Sequence, residues 1–64
     1  MQSYLAMWEE LLPYRKQQLI IEQVLLSKYK YKRSNKEIAS FISDSYILTP
    51  QFAKWTVDNI LKEN

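Results

Sequence analysis

The chain has 64 residues, a formal net charge of +2, and no Cys, His or Gly. That composition excludes disulfide staples, thiolate or imidazole metal sites, and every phosphate loop or nucleophile elbow that needs Gly. One small domain spanning residues 1–64 is expected. At this size only about 60% of the unfolded surface is buried, so tight packing or oligomerisation must supply stability.

Absent Gly and only two Pro suit a helical protein. No apolar run approaches the ~20 residues of a membrane span. The N-terminus lacks the basic start and apolar core of a signal peptide. The expectation is a soluble, cytoplasmic protein with no metal and no cofactor.

Residues 1–12 read MQSYLAMWEELL. Ser3 is a candidate cap, and Tyr4, Leu5, Trp8, Leu11 and Leu12 recur at helical spacing. Pro13 ends the segment, because the residue before proline avoids helical dihedrals. Tyr4, Trp8 and Leu11 are either anchors for a partner's groove or a cover for the next helix.

Pro13–Tyr31 is the longest stretch without an internal breaker, and Pro13 suits a first helical position. Ile20, Ile21, Val24, Leu25 and Tyr31 form a wide apolar face. Arg15, Lys16, Glu22, Gln23, Ser27 and Lys30 lie mostly opposite. Leu19 and Leu26 make a second, narrow stripe. A helix with two apolar sides must touch two things: its neighbours in the chain, or a second subunit. Self-association is expected on that ground, with Trp8, Phe52 and Trp55 adding apolar surface.

The densest charge follows. Lys28, Lys30, Lys32, Arg33 and Lys36 are interleaved with Tyr29 and Tyr31. Basic residues at a helix C-terminus offset its dipole. The same residues suit a patch that faces nucleic-acid phosphates, or an acidic protein surface.

Ser34-Asn35-Lys36-Glu37 reads as a capping box, and Ile38, Ala39, Phe41 and Ile42 give the helix after it an apolar face. Tyr46, Ile47 and Leu48 are expected in a loop that packs inward. Thr49-Pro50 is the next helix start. Ala53, Val57, Ile60 and Leu61 form one face of that last helix. Phe52, Trp55 and Asn59 lie to one side, and Gln51, Lys54, Asp58 and Lys62 point away.

The pattern predicts an all-α bundle with helices near 3–12, 14–31, 35–44 and 50–62. Its expected core is Trp8, Ile20, Val24, Leu25, Ile38, Phe41, Ile42, Val57 and Ile60.

SNKEIASFI resembles the second helix of many bacterial helix-turn-helix domains. TPQFAKWTVDNIL resembles the recognition helix that follows in response-regulator and sigma-factor type domains. The resemblance implies that Gln51, Lys54, Trp55 and Asp58 face the major groove, and that Lys32, Arg33 and Lys36 meet phosphates. It departs from the pattern in the Gly-free connection Asp44–Thr49, longer than the usual turn, and in Asp58, which repels phosphate.

Catalysis is not expected. Glu9 and Glu10 point in different directions on a helix, and Glu37 and Asp44 share a solvated face. Two readings remain. One is a small DNA-binding regulator, resembling phage or plasmid products of AT-rich bacteria and acting as a dimer on double-stranded DNA. The other is a helical inhibitor, adaptor or immunity-type factor that binds a protein through Tyr4, Trp8, Leu11, Phe52 and Trp55.

Overall fold

The computed structural model describes residues 3–63 and is built from four α-helices. They are α1 (Tyr4–Leu11), α2 (Tyr14–Tyr29), α3 (Asn35–Tyr46) and α4 (Pro50–Glu63). No strand occurs among the described residues.

Local chemistry accounts for the helix ends. The Ser3 hydroxyl accepts from the Ala6 N–H at 3.1 Å and opens α1. Leu12, before Pro13, is extended and closes it. Pro13 is the N-cap of α2 rather than its first helical residue. The Gln17 amide replaces a cap at this corner, donating to the carbonyls of Trp8 at 3.0 Å and Leu12 at 2.9 Å. α2 stops at Tyr29, two residues short of the expected end. Lys32 takes φ 56°, and the Arg33 N–H donates to the Ser27 carbonyl at 3.1 Å. This is the left-handed termination common at helix C-termini. Thr49 caps α4 through the Phe52 N–H at 3.3 Å.

α3 overruns its expected end at Asp44 and continues to Tyr46. Ile47 then takes φ 55°, and the Leu48 N–H donates to the Ser43 carbonyl at 3.0 Å. Tyr46 and Leu48 pack against the core as expected of an inward connection. Ile47 does the opposite and is 92% exposed, because the left-handed residue that reverses the chain turns its side chain outward.

The core consists of Leu12, Ile20, Val24, Ile38, Ile42, Phe52, Ala53, Val57 and Ile60. α3 and α4 form the closest helix pair, and α2 packs on both. Of the expected core, Trp8 and Leu25 are half-buried against this cluster. Phe41 is a correction. It is 48% exposed, because α3 buries the row Ile38–Ile42 and Phe41 stands to one flank of it. Tyr31 is also exposed, since it lies beyond the end of α2. Ser27, expected on the polar side, is buried on the same row as Ile20 and Val24. Phe52, expected at the side of α4, is the largest fully buried residue.

Candidate nucleic-acid interface

The five cations of the basic run surround the α2–α3 corner, and each is held differently. Lys28 donates to Asn35 Oδ1 at 2.9 Å, tying the last turn of α2 to the first of α3. Lys30 Nζ lies 5.8 Å from the centre of the Tyr31 ring. Arg33 reaches the Glu37 carboxylate at 3.9 Å across solvent. Lys32 and Lys36 are exposed and have no ionic partner among the described residues.

The capping box at Ser34 organises this corner. The Glu37 N–H donates to Ser34 Oγ at 3.2 Å, and the Ser34 N–H donates to Glu37 Oε1 at 3.3 Å. The Ser34 hydroxyl also donates to that oxygen at 3.0 Å. The backbone bond from Ser34, then its hydroxyl, and more weakly the Arg33 charge hold the Glu37 carboxyl below the usual glutamate value.

Three-residue spacing between α3 and α4 (Ile47–Thr49) keeps the two helices close, and an open groove of about 550 Å³ runs along the outside of the pair. On α3 it is lined by Asn35, Lys36, Ala39, Ser40, Ser43 and Asp44. On α4 it is lined by Pro50, Lys54 and Asp58, one residue per turn. On the α3 side Ala39, Ser40 and Ser43 line it with small side chains. Its two lysines are balanced by its two aspartates.

The structure therefore brings Lys36, Lys54 and Asp58 to one groove, with Gln51 exposed on the same outer side of α4. Lys28, Lys30, Lys32 and Arg33 stay at the α2–α3 corner and do not line it. Trp55 does not join this set. Its ring lies 5.8 Å from Tyr4 and 6.0 Å from Phe52, with Phe52 also 5.8 Å from Tyr4. The three rings fasten α1 to α4.

That cluster bears on the aromatic anchors as well. Phe52 is 2% exposed, Trp8 is half-buried beside Ile21 and Trp55, and Tyr4 is packed on two rings. Leu11, at 61% exposure, is open. Asn35, Ser40, Ser43 and Asp44 were missed as groove residues. Their signal was a row of small and polar residues at helical spacing opposite Ile38 and Ile42, which alone reads as an ordinary solvated face.

No helix among the described residues is long and apolar enough to cross a membrane, and no group of three or more His, Cys, Asp or Glu there is placed to hold a metal. Comparison with family models, with curated proteins and with solved structures finds no match.

Proposed function

We propose that this chain binds double-stranded DNA through the outer side of the α3–α4 pair. Gln51 and Lys54 on α4 meet base edges, Lys32 and Lys36 meet phosphates, and Asp58, in the groove with Lys54, repels phosphate rather than reading a base. The observation that supports this reading is the meeting of Lys36, from the first turn of α3, with Lys54, from α4, at one open groove beside a tight three-residue turn. A short turn between two packed helices, the second carrying a polar exposed face, is the geometry that lets a helix enter the major groove. Trp55 is left out of the base-reading set because its ring is spent on Tyr4 and Phe52. Arg33 is a weaker phosphate ligand than its neighbours because Glu37 already accompanies it.

The test is a titration of random-sequence duplex at several salt concentrations. Binding must weaken steeply with salt, since each phosphate neutralised releases condensed counterions. Replacing Lys32 and Lys36 by Ala weakens binding to every duplex and flattens the log–log salt slope by about two units. Replacing Gln51 or Lys54 changes which sequence is preferred. An unmodified protein that binds no duplex at low salt overturns the proposal.

A further inference from the structure

We infer that the outer face of α2 docks a second copy of this chain, the two helices running antiparallel about a twofold axis between Gln18 and Leu19. α1 lies over the Gln17 and Ile21 side of α2, as the Gln17 bonds to Trp8 and Leu12 fix it. The Ile20–Val24–Ser27 row faces the core. The remaining side carries Arg15, Leu19, Glu22, Leu26 and Tyr29, spaced alternately four and three residues apart. That alternation is the seam spacing of paired helices. Leu19 remains 45% exposed on it and Leu26 is half-buried, so α1 leaves the Leu19 end of the narrow stripe uncovered.

Charge selects the occupant and its direction. Arg15 and Glu22 are exposed and have no ionic partner among the described residues. In a parallel pair each would stand beside its own copy, and like charges would repel. In the antiparallel pair Arg15 and the partner's Glu22 lie equally far from the axis, so they stand level, and the second such pair follows by symmetry. Leu19 and the partner's Leu19 meet beside the axis. A face that complements itself in both charge and apolar surface fits another copy of this chain.

One side of a helix of 16 residues, about 24 Å long, is at the small end of specific interfaces. The dimer is therefore weak and reversible. It stands whether or not the chain binds DNA, because no residue of the seam belongs to the α3–α4 groove.

Sedimentation equilibrium of the full chain from about 10 μM to 1 mM tests it. The dimer fraction should rise with concentration. Arg15→Glu alone and Glu22→Arg alone should shift the protein to monomer with its helical circular dichroism unchanged, and the double reversal should restore the dimer. Because the chain has no Cys, Leu19→Cys gives an independent reading that needs no charge change. It should form a disulfide-linked dimer under mild oxidation, whereas Lys62→Cys at equal concentration should not. Monomer throughout the range overturns the proposal. So does a folded double reversal that stays monomeric, or cross-linking of the two cysteine variants to the same extent.

Discussion

Single residues decide two of the energetic features of this fold. Ile47 carries a β-branched side chain in the left-handed region, where such residues are outliers, and its side chain packs on almost nothing. Glycine at that position relieves the backbone at little loss of contact. Ile47→Gly should stabilise the protein by about 1 kcal/mol, raising the melting temperature by roughly 4–8 °C. A lowered melting temperature would show that the turn is not left-handed there. The two phenylalanines give an opposite pair. Phe52→Ala removes a fully buried ring and should cost about 3–5 kcal/mol, enough to unfold a domain of this size. Phe41→Ala removes a ring that is half in water and should cost about half as much, on the scaling of the effect with buried area. Thermal melts of the two variants side by side check this, and equal losses would place Phe41 in the core after all.

At the scale of elements, end chemistry sets how the helices are joined. The α3 start is the strongest signal, with a reciprocal capping box and a carboxylate at the positive end of the helix. Glu37 has its folded-state pKa depressed, so its contribution is fully present above the unfolded value near 4.5 and is lost as pH falls through the folded value. Ser34→Ala should cost about 0.5–2 kcal/mol near neutral pH. It should also trim part of the loss of stability below pH 4.5, since it removes the hydroxyl bond to the Glu37 carboxylate while the backbone N–H of residue 34, the larger cause of the depression, stays in place. Urea melts across that range measure both effects, and an unchanged acid limb would show that the Ser34 hydroxyl does not help to hold Glu37 ionised. The α1–α2 corner works differently. Pro13 has no N–H to offer, and one amide, Gln17, serves two carbonyls of the preceding segment. Sequence pattern marks the break at proline but gives no sign of that clamp, because it joins residues nine apart across a corner.

The charge layout belongs to the whole molecule. A net charge of +2 is spread so that the cations crowd the α2–α3 corner, while Asp44 and Asp58 lie in the α3–α4 groove. On the DNA-binding proposal, those aspartates hold affinity down and leave discrimination to Gln51 and Lys54. Asp44→Asn with Asp58→Asn should strengthen binding to any duplex several-fold at low salt, and the gain should shrink as salt screens the groove. Fluorescence anisotropy at two salt concentrations reads this. A double variant that binds no more tightly would remove the groove from the interface. The aromatic residues show the same dependence on the whole. Trp8, Phe52 and Trp55 look in sequence like surplus apolar surface, yet Phe52 and Trp55 stack on each other with Tyr4 tilted against both, and Trp8 lies beside Trp55.

What the sequence alone determined is local. Four helices, the Ser34 and Thr49 caps, the break at Pro13 and the buried row Ile20, Val24, Ile38, Ile42, Val57, Ile60 all follow from spacing and cap chemistry within a turn or two of each residue. What tertiary structure decided is which flank of each helix meets a neighbour. Phe41 and Phe52 have the same side chain on similar helices, and tertiary packing buries one in the core cluster under Tyr4 and leaves the other half in water. The groove that gathers Lys36, Lys54 and Asp58 is likewise a product of how closely α3 and α4 pack. Those distances depend on residues far apart in the chain, and helical periodicity reports only the direction a side chain takes around its own axis.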